Sequence, residues 1–473
     1  HFQPGAMAAT AGFAELAGRL PRSVQACVVG GGVLGTAICR ELTHRGVETI
    51  LLEKSSIGSG VSAGNTGIAC TLLGIPKETV EHRCLQRALP LNLPTYRSLG
   101  IPHKTSGALY VAWSPEDVKA LEDLAATHGE VGATYLTAQE VSQLEPDLGP
   151  KAMAALHVLD EITVDPGLVP LAFAADALKH GAQILEECQV SEIEKLPDAY
   201  RLTSSELSAP ILAEHVVNCT GLGQSMGDVS FKPRRGDYLL FQRPTPSTSS
   251  SPLTRPIGEV PRPEARGVYV WPTVHGDVLC GPTNVEQEHD DLPKPTTETL
   301  EILRQKAIRV CPSLADWPIA GAYSGLRPAL DPKRFGKDYV LNTRHGPGRC
   351  SWTTVAGIRS TGLTASLGIA QVICDRLGFS SAPLVADGFL MPSLEQMAES
   401  YAMTPGYIEL AKRRWHVAHP QTILGLATTS GTQLMAGPSA RSGSAVWFGD
   451  LVAAKICMET STKRAATTNG THN

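Results

Sequence analysis

The chain has no CxxC pair, no long apolar run, no basic excess and no internal repeat. Its eleven cysteines stand singly, at 27, 39, 70, 84, 188, 219, 280, 311, 350, 374 and 457, so a zinc ribbon or an iron–sulfur cluster lacks its usual ligand spacing. No metal constellation is present, and no metal is expected. Cys27 and Cys219 lie inside apolar runs, where a free thiol behaves as a small hydrophobe. The odd count and scattered placement favour a reducing compartment and hence an intracellular protein, cytoplasmic or mitochondrial. No stretch approaches the roughly 18 apolar residues of a spanning helix, which leaves peripheral association as the membrane role. With 41 basic against 46 acidic residues the net charge is −5, which is no footprint for nucleic acid. Small charged molecules must then be held by local arginines.

What is present is a chain of 473 residues, 42% hydrophobic and 18% charged, long enough for two or three domains and a large core. Residues 1 to 6, ahead of Met7, read as leftover cloning sequence, and residues 7 to 22 hold two arginines and no signal-peptide core.

The most informative stretch is Val28-Val29-Gly30-Gly31-Gly32-Val33-Leu34-Gly35. An apolar run enters a GxGxxG turn at Gly30, Gly32 and Gly35, and an alanine- and leucine-bearing segment leaves it, in the order strand, tight turn, helix. Gly30 permits the turn, Gly32 lets the backbone approach a pyrophosphate, and Gly35 lets the helix pack on the strand. The helix N-terminus then faces the phosphates. A second apolar run, residues 49 to 52, ends in Glu53, placed to accept hydrogen bonds from a ribose diol. This is a dinucleotide site; a bare glycine-rich turn would leave the acid's spacing unexplained. The small-residue loops at 54 to 60 and 62 to 68 follow closely and suit the longer FAD better than NAD.

Downstream, residues 76 to 99 are mostly helical in pattern, broken by Pro90 and Pro94. Residues 107 to 113 read as a strand, 114 to 128 and 139 to 144 as helices, and Asp165-Pro166 caps a helix that Gly181 stops. Residues 182 to 194 and 200 to 203 read as strands, and 216 to 221 as a buried strand ending in Thr220 and Gly221, where an open α/β sheet binds its ligand. Residues 238 to 241, 268 to 271 and 278 to 280 suit antiparallel strands. Between them, residues 244 to 263, rich in proline and serine, read as a mobile surface excursion. A helix over 296 to 310, a last α/β portion over 322 to 378, partial helix over 393 to 417 and a polar, disordered tail after about 459 complete the pattern.

Together, the glycine turn with Glu53, the loop 62 to 68, Arg235-Gly236-Asp237-Tyr238, Pro272-Thr273-Val274-His275-Gly276, Gly281-Pro282-Thr283-Asn284, Ser324 to Pro328 and Val355 to Ser366 resemble one family. It is the D-amino-acid-oxidase-like group of FAD-dependent oxidoreductases, with flavin-dependent glycerol-3-phosphate dehydrogenases (anaerobic-type catalytic subunit) and L-2-hydroxyglutarate dehydrogenases nearest in wording. The resemblance spans about residues 24 to 378. It implies an α/β fold: a glutathione-reductase-like Rossmann FAD-binding domain with an inserted mixed-β-sheet substrate domain and a C-terminal extension. The implied division is 23–98, 153–228 and 322–378 for FAD, 99–152 and 229–321 for substrate, and 379–473 as an appendage.

The same resemblance implies FAD contacts at Gly30, Gly32, Val33, Leu34, Gly35, Glu53, Lys54, Ser62, Asn65, Thr66, Gly67, Val190, Thr220, Gly221, Gly357, Ile358, Gly362, Leu363 and Thr364. It also implies oxidation of a small anionic hydroxy compound, glycerol 3-phosphate or an L-2-hydroxy acid such as 2-hydroxyglutarate, by hydride transfer to flavin N5. Such chemistry needs a proton acceptor and a cation to fix the anionic end, a role that suits arginine's planar fork. Arg327, before Pro328, is the first candidate, against the alternative of a structural ion pair. Arg359 would sit near the flavin ring, against that of a solvated loop arginine. His275 could act as a base, yet Val274-His275-Gly276-Asp277 also reads as a plain hairpin turn. Arg235 and Tyr238 could line the substrate side, against an exposed basic edge over 232 to 235, and Arg334 and Lys337, near Asp338, are weaker phosphate-clamp candidates. Three departures from the family pattern stand out: Cys70 where relatives often carry histidine, a C-terminal region holding only Cys457, and Arg359 where many have an acid. They leave the base, the electron acceptor (quinone, electron carrier or oxygen) and the substrate open, and with them an amine or amino-acid oxidase or a non-catalytic flavin-binding protein of the same fold.

Overall fold

The stretch Ser23–Val29 is polar only at positions 23 and 25, and it forms the central strand of a sheet covered on both faces, as near-continuous apolar runs do in parallel sheets. The computed structural model describes residues 22–127, 129–149, 152–223, 229–244, 251–262, 267–287, 295–380, 389–432 and 446–448. Five parallel strands lie in the order Ser351–Ala356, Ile211–Asn218, Ser23–Val29, Thr49–Leu52 and Gln183–Leu185. The first half of Ile211–Asn218 also pairs antiparallel with Tyr200–Thr203, while its second half makes the parallel pairing with Ser351–Ala356. The expected single strand over 182 to 194 is two strands, Gln183–Leu185 and Glu192–Lys195, because the chain turns at Glu187, whose φ of 54° is incompatible with a strand.

Helices Val33–His44, Leu168–Lys179 and Gly362–Arg376 pack together over this sheet, and Val80–Ser98 packs on the last of them. The expected break at Pro90 and Pro94 does not occur: Val80–Ser98 runs through both, with the prolines toward solvent and Cys84, Leu85, Ala88, Tyr96 buried. The crossing is close because Gly368 has no side chain; a Cβ there would lie 2.1 Å from the Cys84 carbonyl. Asp176 ties the layer together. Buried, it accepts from Arg40 Nε at 2.6 Å and from Phe389 N at 3.1 Å, and its Oδ2 lies 2.8 Å from His44 Nε2.

The second, larger sheet runs Val446–Phe448, Ile319–Arg327, Arg234–Phe241, Val278–Gly281, Tyr269–Pro272, Ile257–Glu259, Ala108–Ala112, Ala154–Val158 and Ala133–Thr137, with Val285–Glu286 on Arg234–Phe241. The described part of the stretch 244 to 263 is not the surface excursion that its composition suggests. It places Ile257–Glu259 in the middle of this sheet, between Tyr269–Pro272 and Ala108–Ala112, with Leu253 and Ile257 in its core. The apolar residues at 253, 257 and 260 outweigh the prolines around them.

Beyond the expected partial helix, here Leu394–Met403, come the hairpin Tyr407–Leu410 with Arg413–His416 and a helix, Pro420–Ser430, which lacks an amphipathic period because it is buried nearly all round. The expected disordered tail after about 459 lies outside the described residues. Among the described residues no helix is long and apolar enough to cross a membrane.

Candidate active site

The carboxyl ends of the parallel strands open onto one long cleft lined by Val29, Leu52, Cys219 and Ala356, where ligands of open α/β sheets bind. At its near end the glycine turn takes the only backbone that fits. Gly30 has φ of +106°, its N–H donates to Leu52 O at 2.8 Å, and a Cβ there would sit 2.6 Å from Cys219 O. A Cβ on Gly35 would fall 1.9 Å from Gly30 O, so this glycine serves helix-on-strand packing behind the cleft. Gly32, Val33 and Leu34 face the cleft at the helix N-terminus, where N–H groups and the helix dipole suit a phosphate.

Glu53 closes the second strand. Its Oε2 accepts from Gly31 N at 2.6 Å and its Oε1 from Ser55 N at 2.8 Å, which leaves a lone pair on each oxygen for a diol. Burial pushes its carboxyl above the usual range, against the pull of these two N–H groups. Beside it, Cys188, Gln189 and Val190 also line the cleft, brought there by the turn at Glu187 and by Cys188 N donating to Glu53 O at 2.8 Å. Sequence reasoning named only Val190, since the turn rests on a positive φ at a glutamate that no motif marks.

Lys54, Ser62, Asn65, Thr66, Thr220, Gly221, Gly357, Ile358, Gly362 and Leu363 also line the cleft. Thr220 is turned by Asn218, whose side-chain oxygen accepts from its N–H at 3.2 Å and its hydroxyl at 2.8 Å. Gly67 and Thr364 stand behind the wall: Gly67 N–H donates to Asn65 Oδ1 at 2.7 Å, and Thr364 Oγ1 accepts from Cys70 N at 3.1 Å. The loop from 62 to 66 touches both ends of the site. Ser62 Oγ accepts from Val33 N at 2.9 Å, while Gly64 meets Gly325 back to back, a Cβ on Gly64 lying 2.7 Å from the Gly325 Cα.

At the far end the cleft meets a second cavity, lined by Cys70, Lys232, Tyr269 and Lys337, and Arg327 and Arg359 line both. Arg327 ends the strand Ile319–Arg327. Its Nη2 donates to Thr283 O at 3.2 Å, while Nη1 is buried without a hydrogen-bond partner. The nearby Asp237 is engaged elsewhere, with Ser324 Oγ at 2.6 Å, Thr283 Oγ1 at 3.2 Å and Arg235 Nε at 3.1 Å. Burial lowers the Arg327 pKa, as expected of a cation without its own counter-ion. Among the described residues, the structural ion pair weighed for this residue is absent. Arg359 is ion-paired instead, its Nη2 3.2 Å from Glu81 Oε2, with Thr361 Oγ1 donating to Glu81 Oε1 at 2.5 Å. Tyr238 lines the cleft, donates to Gly64 O at 2.8 Å and stacks on Tyr323 with centroids 4.3 Å apart.

The structure takes His275 away from the cleft. It sits in the turn between Tyr269–Pro272 and Val278–Gly281, buried, with Nε2 2.6 Å from Asp165 Oδ2, and lines neither the cleft nor the second cavity. Asp165 also accepts from Gly167 N and Leu168 N at 3.0 Å and from Thr422 Oγ1 at 2.5 Å, and its pKa falls: the hydrogen bond and charge of His275 overcome its burial. The histidine therefore fastens one part of the fold to another, and the hairpin-turn reading of its motif is the one the geometry follows. Among the described residues one group has metal-ligand spacing, His44, Asp176 and His180, but Arg40 Nε already holds Asp176 at 2.6 Å.

A bound adenine dinucleotide fits this arrangement: a backbone cradle that a Cβ would fill, a helix N-terminus over it, a half-buried carboxylate beyond, and a long groove ending at Arg327, whose Nη1 has no hydrogen-bond partner among the described residues. Residues 25–376 match the family model described as FAD dependent oxidoreductase, and the chain belongs to that family. A glycerol 3-phosphate dehydrogenase of Caloramator mitchellensis is 25% identical over 361 residues, 74% of this chain and 73% of its own length. A glycine oxidase of Bacillus licheniformis is 28% identical over 317 residues, 64% of this chain and 80% of its own. In fold, the chain is similar to the FAD-bound L-alpha-glycerophosphate oxidase of Mycoplasma pneumoniae, with a TM-score of 0.68 at 22% identity, over 79% of this chain and all of that one. The protein is thus an FAD-dependent oxidoreductase, and its relatives divide between hydroxy and amino substrates.

Proposed function

We propose that the protein is a dehydrogenase that oxidises a small anionic hydroxy compound, glycerol 3-phosphate or an L-2-hydroxy acid. The observation that carries this reading is Arg327: a half-buried arginine whose Nη1 is enclosed and without a hydrogen-bond partner among the described residues, at the junction of the dinucleotide cleft and the second cavity. An enclosed N–H without an acceptor is unfavourable unless a ligand completes it, and two parallel N–H bonds suit a carboxylate or phosphate. FAD would be held by Gly30, Gly32, Val33 and Leu34 at its phosphates, by Glu53 at its ribose, and by the loop 62 to 66 with Gly357 to Leu363 toward the ring; when bound it supplies the hydride acceptor.

The protein's share of the chemistry is placement. Arg327 binds the anionic end and so orients the substrate's reacting carbon toward the cleft, while the cation-bearing rim with Lys232 and Lys337 favours entry of an anion. Arg359, neutralised by Glu81, shapes the wall where the two cavities join. The test is Arg327→Ala. Loss of a charge-assisted hydrogen-bond pair of about 1.5–3 kcal/mol raises the substrate dissociation constant roughly 10- to 150-fold and leaves FAD affinity within a few-fold. Equal loss of both would make Arg327 structural and remove the main support for an anionic substrate.

A further inference from the structure

The family match ends at residue 376, yet the described segment from 389 to 432 is built into the cofactor site. We propose that this C-terminal segment is a clamp on the cofactor-facing loops, with Gln421 and His419 as positioning residues for FAD binding. Gln421 Nε2 donates to Thr66 O at 3.0 Å and lies 3.3 Å from both Asn65 O and Tyr323 Oη; His419 Nε2 lies 3.0 Å from Asn65 O. Both side chains are buried, at 2% and 1% exposure, so no solvent donor can replace them at these carbonyls.

The loop they hold is the one whose Ser62, Gly64, Asn65 and Thr66 line the cleft. Its other contacts, Ser62 with Val33 N and Gly64 with Tyr238, leave the carbonyls of Asn65 and Thr66 to the C-terminal segment. A second arm of the same segment reaches the loop after Glu53. His416 Nδ1 lies 3.1 Å from Ser56 Oγ, and Arg413 pairs at 2.7 Å with Glu186, which in turn accepts from Ile57 N at 2.7 Å. Docking of the segment therefore fixes the loop 62 to 66, which lines the cleft, and the stretch that directly follows the cleft-lining Glu53 and Lys54. The first arm thus acts on the loop 62 to 66, and the second beside Glu53 at the ribose end of the cleft.

The test is titration of FAD-free protein with FAD, followed by flavin fluorescence, for Gln421→Leu, Gln421→Glu and Thr422→Val in the full chain. Gln421→Leu is expected to weaken FAD binding at least about tenfold, with a fall in the melting temperature of the FAD-free protein comparable to that of Thr422→Val. Gln421→Glu is expected to weaken it further, because a carboxylate would face three oxygens. Thr422→Val loses the bond to Asp165 but none to the loop, so it is expected to lower stability and leave FAD affinity within twofold. Wild-type affinity in both Gln421 variants overturns the clamp. Equal loss of affinity in Thr422→Val also overturns it, since the helix would then act by packing alone.

Discussion

His419 shows how one buried side chain can set a pH dependence. Fully buried, with Nε2 on Asn65 O and Nδ1 accepting from Gln421 N at 3.2 Å, it is held neutral, and burial lowers its pKa from the ordinary 6.5 to about 4, against the pull of Asp165. The unfolded chain takes up this proton first as pH falls. The histidine's contribution to stability is therefore whole above about pH 6.5 and shrinks toward pH 4, at about 1.4 kcal/mol per pH unit. Urea unfolding is expected to show about 2 kcal/mol less stability near pH 5 than near pH 7, and His419→Gln is expected to remove most of that difference. The same pH slope in the variant would show that other groups carry it. At this scale the sequence was legible where a residue's reason is local. Gly30, Gly35 and Glu53 announce themselves by spacing, whereas His419 and Gln421 belong to no motif, and their roles arise from carbonyls more than 350 positions away.

Among the elements, the helix Leu168–Lys179 depends on Asp176 more than on propensity. The aspartate joins it to Val33–His44 through Arg40 and His44, and to the C-terminal segment through Phe389 N. Although burial raises its pKa, the hydrogen bond from His44 and the charge of Arg40 hold it well below the usual carboxylate range. Its contribution is present above the unfolded pKa near 4 and is lost only as pH falls through the lower folded value. Asp176→Ala leaves Arg40 buried without its carboxylate and is expected to cost about 3–5 kcal/mol in urea unfolding. A cost under about 1 kcal/mol would mean that packing alone holds the layer. Elements with one dominant period, such as Thr297–Val310 with its Thr296 cap, could be read directly. Those set by tertiary contact could not: Val80–Ser98 runs through two prolines because its buried face outweighs two lost hydrogen bonds, and Ile257–Glu259 is a strand because its neighbours need one.

For the whole molecule, the parallel sheet and its FAD cleft follow from the order strand, glycines, helix, strand, acid, and the chain's membership of the FAD-dependent oxidoreductases agrees with that order. The substrate end is less legible, because it is assembled from the strand end at Arg327, the loop at Cys70 and the strand Tyr269–Pro272, brought together only by folding. The C-terminal segment was least legible. Its helix Pro420–Ser430 has no polar face to reveal it, being enclosed between His275, Asp165 and the loop 62 to 66. The central claim is that this fold oxidises an anionic hydroxy compound held by Arg327. Its most direct test is anaerobic mixing of the flavin-loaded protein with glycerol 3-phosphate, L-2-hydroxy acids and amino acids, watching the flavin's visible absorption. Bleaching by glycerol 3-phosphate or 2-hydroxyglutarate, lost in Arg327→Ala at the same substrate concentration, is the predicted result; bleaching by amino acids alone, or by none of them, would contradict it.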